Sequence, residues 1–195
     1  VKEGMIKKNI IPNEGFKERK LIGGQLETNI KGGTDILFLK KSIEKRKEIH
    51  EAFINKGIEI NPLLLVQLPD EKKGQKNDLR DKIEDYLNDE YDISVSNGKL
   101  GIYLSKDKTK LQNIKDNNNE VEVLIFKQAI ALGWDCPRAH VITFFREWKE
   151  STFSKQTIGR ILRLPEPEKG HYDDDLLDNA FIFANQNLIK VEEDI

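Results

Sequence analysis

The sequence predicts a three-layer α/β domain built on a mainly parallel sheet, and three observations carry that reading. The runs PLLLVQL (62–68), VEVLIF (121–126) and HVITFF (140–145) are aliphatic without strict alternation. Strands of that kind suit a sheet covered on both faces. Helical patterns lie between the runs, as parallel strands require of their crossovers. Proline and glycine punctuate the joins, with Pro62 and Pro69 around the first run and Gly57 before it.

Residues 1–33 are mixed and read as a segment leading in from a preceding domain, with the domain proper spanning 34–195. Within the lead-in, KKNIIPN has the character of a short strand, and IGGQLETNIKGG that of a loop. From Thr34 to Lys56, Ile36, Leu37, Leu39, Ile43, Ile49, Phe53 and Ile54 follow helical spacing. Thr34 or Asp35 is the expected N-cap and Gly57 the stop. A buried strand follows at PLLLVQL, then an amphipathic helix from Asp78 to Tyr91 with Leu79, Ile83, Tyr86 and Leu87 inward. DISVS and KLGIYLS read as two short strands about an Asn97-Gly98 turn. After a polar stretch, Asn113 to Glu120, come VEVLIF and then HVITFF. Ser151 to Leu164 reads as a helix stopped by Pro165 and Pro167. NAFIFAN (179–185) is the last expected strand.

Composition narrows the function. The 195 residues are 37% hydrophobic and 34% charged, with 32 basic and 34 acidic side chains and a net charge of -2. A dedicated DNA clamp has a clear basic excess, which is absent here. The single Cys136 excludes an internal disulfide framework and a multi-cysteine zinc site. It is expected to be a small buried residue. No apolar run approaches the roughly 20 residues that span a bilayer, and no secretory pattern opens the chain, so no membrane association and a cytoplasmic location are expected. The chain opens on Val1, which suggests a piece of a longer protein.

Two segments have chemical character: KQAIALGWDCPRA (127–139) and QTIGRILR (156–163). On a continuous helix Arg160 and Arg163 share a face, with Gln156 one turn before. Two planar guanidiniums and an amide aimed together can clamp phosphate, and Gly159 leaves room for a close approach. A solvated basic face paired with nearby acids accounts equally well for Gln156, Arg160 and Arg163 taken alone. In the other segment, Lys127 and Gln128 stand just past a strand, where they can donate to a phosphodiester backbone. Gly133 permits close backbone approach and Asp135 can accept from a ribose hydroxyl, since parallel sheets take ligands at the carboxyl ends of their strands. An ordinary loop, with Trp134 in the core and Asp135 capping a turn, is the competing account. Glu166, Glu168 and the run Asp173 to Asp175 read as solvated loop, and no metal site is expected.

Taken together, the order strand, G-x-D-x-P, strand, Q-x-x-G-R-x-x-R resembles motifs V and VI of superfamily two helicases, and PLLLVQLP resembles motif IV. The wording FKQAIALGWDCPRA followed by QTIGRILRLPE is similar to the restriction subunit of type III restriction–modification enzymes. The likeness covers about residues 60–185. It implies a RecA-like second motor domain that works against a first RecA-like domain of the same chain. Arg163 then resembles the main arginine finger, Arg160 its partner and Gln156 the motif VI glutamine. Asp135 and Gly133 correspond to the ribose contact, and Lys127 and Gln128 to the start of motif V on the nucleic-acid backbone. Many relatives have Thr or Ser in place of Lys127. The role of Gln67 in the motif IV strand is open.

The resemblance also implies ATP and Mg2+ in the full-length enzyme, held mainly by the first domain. Double-stranded DNA and a modification methyltransferase subunit are the implied partners. The sequence has no G-x-x-x-x-G-K-[ST] loop, so the 195 residues alone are expected to be inactive. Two alternatives remain: another superfamily two DNA or RNA helicase, and a non-catalytic nucleic-acid-binding module of the same fold.

Overall fold

The computed structural model describes residues 5–14, 33–69, 78–104, 111, 113–127, 136–145, 159 and 161–184. The elements in chain order are β1 (Asn9–Pro12), α1 (Gly33–Asn55), β2 (Leu63–Gln67), α2 (Asp78–Tyr91), β3 (Leu100–Tyr103), β4 (Val123–Phe126), β5 (Ala139–Phe144) and β6 (Asn179–Ala184). The strands form one sheet in the order β1-β6-β5-β2-β4-β3. Every pairing is parallel, with Leu65 opposite Leu124 on one side and Ile142 on the other. Among the described residues no helix is long and apolar enough to cross a membrane.

The aliphatic runs become the central strands because both faces of the sheet are covered. Alternate residues divide cleanly between the layers. Leu64, Val66, Val123, Ile125, Val141, Phe181 and Phe183 pack toward α1 and α2, against Leu39, Ile43, Phe53 and Ile83. Leu63, Leu65, Leu124, Phe126, Ile142 and Ile182 face the other way and meet Ile114, Cys136 and Ile161. This is the three-layer arrangement the sequence predicts.

The ends of α1 follow local chemistry. Gly57 takes φ 68° and donates its N–H to the Ile54 carbonyl, while Ile58 donates to Phe53. These two bonds satisfy carbonyls the helix leaves over, and a residue without Cβ adopts that φ most cheaply. The helix N-terminus falls at Gly33, one residue before the expected cap.

Three expectations need amendment. Asn9–Pro12, inside the expected lead-in, is a strand of the domain's own sheet, paired with β6 from Asn9 opposite Asn179 to Pro12 opposite Ile182. Pro12 is compatible because β1 is an edge strand. The DISVS segment does not pair as a strand with KLGIYLS; residues 95–98 form a turn, and β3 pairs with β4 instead. The Asn97 side chain donates to the Asp92 carbonyl at 2.8 Å and accepts from the Ser94 and Lys99 N–H groups, so it satisfies backbone that a partner strand would otherwise have paired. Ile93 is buried in the core as an anchor. The helix expected to run to Leu164 ends earlier: Arg163 sits in an isolated antiparallel bridge with Ile6. Pro165 biases Leu164 away from helical backbone, and Met5 to Lys7 pair with the freed chain.

Candidate functional site

Gln67 closes β2 and is buried, and Lys127 follows the last residue of β4. Their strands are neighbours, with Gln67 opposite Phe126 and, on the other side, opposite Phe144. The Gln67 Nε2 donates to the Lys127 carbonyl at 3.3 Å. Its own carbonyl accepts from Phe145 N–H at 3.0 Å, and Leu68 N–H donates to Phe126 at 2.9 Å. The Gln67 side chain and the main chain around it thus tie the carboxyl ends of β4, β2 and β5. From β2 the chain visits β3 and β4 on one side and β5 and β6 on the other. A reversal of strand order of that kind opens a crevice at the carboxyl ends, where open α/β sheets take ligands. Lys127 is half-buried at these carboxyl ends. Gln128, Gly133 and Asp135 lie outside the described residues, as do Gln156 and Arg160.

The chain is described again from Cys136, whose thiol is buried and donates to the Ile114 carbonyl at 3.4 Å. Arg138 then turns fully inward. Its guanidinium donates to the carbonyls of Ile114 (2.8 Å), Asn61 (2.7 Å) and Val121 (3.0 Å) and to Asn119 Oδ1 (3.3 Å). Arg46 of α1 completes the cluster, donating to the Pro62 carbonyl at 2.9 Å and pairing with Glu122 at 2.8 Å. These arginines hold the amino ends of the central strands together, and the sequence gives no local sign of them. An open cleft of about 780 Å³ lies at the same edge, lined by His50, Asn61, Lys99, Glu120 and Glu122 among others. Among the described residues, none of the predicted site residues lines it.

In the segment of Q-x-x-G-R-x-x-R, Gly159 and Ile161 are helical, and Gly159 is exposed. Among the described residues nothing stands within 4 Å of the place a Cβ would take at Gly159. Ile161 and Leu164 are buried and Arg163 is exposed. Arg163 therefore projects from the bridged segment that follows the helical turn. The bridge partner Ile6 precedes β1, so Arg163 lies at the amino edge of the sheet. Lys127 lies at the carboxyl edge. With strands of four to six residues, the two are separated along the strands by about 13 Å or more. The fold keeps the two predicted contacts at opposite edges.

Behind Arg163 lies a residue the sequence does not single out. Lys7 is 1% exposed. Its Nζ donates to the carbonyls of Pro137 (3.3 Å), Ala139 (3.1 Å), Ile161 (2.5 Å) and Arg163 (2.7 Å). Burial pushes its ammonium down to about 7, with the nearby Cys136 acting in the opposite sense. His140 is buried beside it and held well below the ordinary imidazole value by burial and then by the Lys7 charge. Its Nδ1 lies 3.1 Å from the Arg138 carbonyl and its ring meets Phe53 edge-on at 5.4 Å. A neutral ring donating from Nδ1 fits both contacts.

The acidic loop that follows is bonded to itself and to the sheet. Lys169 meets Glu166 at 2.7 Å, and the buried Asp178 accepts from Lys8 at 2.9 Å and from the N–H groups of Tyr172 and Asp174. Among the described residues there is no group of three or more His, Cys, Asp or Glu able to hold a metal ion.

No protein-family profile matches the sequence, and no curated protein is similar to it. Among solved structures the chain is similar to the C-terminal part of the Fun30 ATPase domain, at a TM-score of 0.47 and 13% identity. The likeness covers 82% of this chain and 43% of that one, so the chain spans less than half the length of that structure.

Proposed function

We propose that this chain is the second, finger-bearing RecA-like half of a superfamily two ATPase motor, and within that group the corresponding part of a type III restriction subunit. The observation that supports it is the junction at the carboxyl ends of β2 and β4. The segment resembling motif V starts at the crevice of an open parallel sheet, and the strand resembling motif IV holds its first carbonyl through Gln67. In this reading Lys127 and Gln128 meet the phosphodiester backbone of double-stranded DNA, while Gly133 and Asp135 meet the ribose of ATP. Arg163 and Arg160, with Gln156, act on the phosphates of a nucleotide whose Mg2+ and phosphate-binding loop belong to the preceding domain.

The chemistry asked of the arginines is electrostatic. Phosphoryl transfer spreads charge over the equatorial oxygens, and a supplied guanidinium stabilises it by about 10³–10⁵ in rate. Since the fingers come from a second domain, turnover requires closure of the two halves. Closure moves one DNA contact patch relative to the other, which couples hydrolysis to translocation.

The test is Arg163→Ala in the full-length protein. DNA affinity is expected to persist while DNA-stimulated ATP turnover falls by about 10³ or more. Unchanged turnover would remove the finger role. Co-purification of the full-length protein with a methyltransferase, together with cleavage of DNA at a distance from a recognition site, separates the restriction subunit from other helicases.

A further inference from the structure

We infer that Lys7 is a positioning residue for Arg163: its buried ammonium clamps the main chain from which the exposed arginine projects. The inference rests on the finger reading of Arg163 given above.

The carbonyls of Ile161 and Arg163 belong to the end of the finger helix and the turn beyond it. A helix leaves its last carbonyls without internal partners, and a cation there is favoured. Lys7 supplies both the donors and the charge, at 2.5 and 2.7 Å. Its other acceptors are Pro137, just before β5, and Ala139, the first residue of β5. An ammonium has three N–H groups, so the four carbonyls share them and are held at one point. Main-chain bonds on either side complete the clamp: Lys7 N–H donates to Leu162, and Leu164 N–H donates to Met5 at 3.3 Å. The segment carrying Arg163 is therefore fastened to the amino edge of the sheet.

The arrangement is costly as pure packing. Burying an ammonium loses its hydration, and an apolar side chain of similar length avoids that loss. What the Nζ hydrogen bonds provide is a fixed main-chain position for residues 161–164. A misplacement of about 1 Å in a catalytic constellation costs on the order of 100-fold in rate. A finger that acts across a domain cleft depends on such placement.

The experiment uses the full-length protein with Lys7→Met, which keeps the stem and removes every donor. Two readouts are taken: DNA-stimulated ATP turnover, and amide hydrogen exchange of Leu164. Gly101→Ala, a packing change on β3, serves as the control for destabilisation alone. The expected result is faster exchange at Leu164 and a kcat lower by on the order of 100-fold, with KM for ATP and DNA affinity little changed, and with kcat retained in Gly101→Ala. If Lys7→Met does not fold, Lys7→Gln, which keeps two donors without charge, takes its place with the same expectations. A kcat at the wild-type level, or a fall no larger than in Gly101→Ala, overturns the inference while Arg163→Ala still decides the finger reading. Full turnover by Arg163→Ala overturns both.

Discussion

The side-chain amide of Gln67 and the main-chain carbonyl of Lys127 meet at 3.3 Å, at the point where the sheet reverses its strand order. Gln67 is 2% exposed. An interior amide that spends its donor on the strand next door fixes where the following loop begins. Gln67→Met removes the donor and keeps the volume, leaving the Lys127 carbonyl without this bond. A loss of about 0.5–1.5 kcal/mol in urea unfolding is expected. In the full-length protein, weaker DNA binding is expected alongside it. A variant with unchanged DNA affinity would separate this bond from the nucleic-acid contact.

Lys7 makes stability depend on pH in a defined direction. Its folded value is about 7, below the unfolded value of 10.5. Between those values the unfolded chain holds a proton the folded chain does not, so this residue's contribution to stability rises with pH from 7 to 10.5. The cost of burying the charge is complete below pH 7. Denaturant midpoints measured at pH 6.5 and 9.5 for the wild type and Lys7→Met isolate the effect. The wild type should gain relative to the variant as pH rises, and a constant difference would show that the ammonium keeps its ordinary value.

Asp178 acts in the opposite pH range. Burial alone raises its carboxyl, but the Lys8 ammonium and the N–H groups of Tyr172 and Asp174 outweigh burial and hold it below the ordinary value. Its stabilising effect is present above the unfolded value of 3.8 and is lost as pH falls through the lower folded value. Asp178→Asn removes the charge from beside Lys8 and turns an amide toward backbone N–H groups. A loss of about 1–3 kcal/mol at pH 7 is expected. The acid-unfolding curve should also lose part of its steepness, which circular dichroism from pH 5 to 2 would follow.

Gly101 is buried in β3 where a Cβ would stand 2.9 Å from both Leu111 Cδ2 and Leu124 Cδ1. The Val121 Cγ1 lies 3.3 Å away on the same side. Branched side chains of a packed layer have little room to withdraw, so Gly101→Ala is expected to cost about 1–3 kcal/mol. Thermal unfolding measures it, and an unchanged midpoint would mean that the 111–124 layer yields freely.

Much of the architecture was legible in local pattern. Leu63–Gln67 and Val123–Phe126 fall within the aliphatic runs that suggested doubly buried strands, Ala139–Phe144 begins one residue before the third run, and Asp78–Tyr91 matches its amphipathic period. Gly57 stops α1 with the positive φ its position required. Such features depend on residues within a few positions of one another, so periodicity and turn chemistry report them. The strand at DISVS misled for the complementary reason. Its composition suits a strand, but the Asn97 side chain satisfies the local backbone instead.

The sequence by itself determined the α/β class and the doubly buried strands, and it singled out the two segments on which the proposed function rests. Only the tertiary structure decided that β1 is an edge of the same sheet, that the helical turn at Gly159 and Ile161 ends before Arg163, and that Lys127 and Arg163 occupy opposite edges. It also decided that Lys7 stands behind Arg163, 156 positions away in the chain. The reason is physical: a lysine among lysines looks like solvated surface in sequence, and the carbonyls that draw it inside exist as a cluster only once the sheet and the helix end have met.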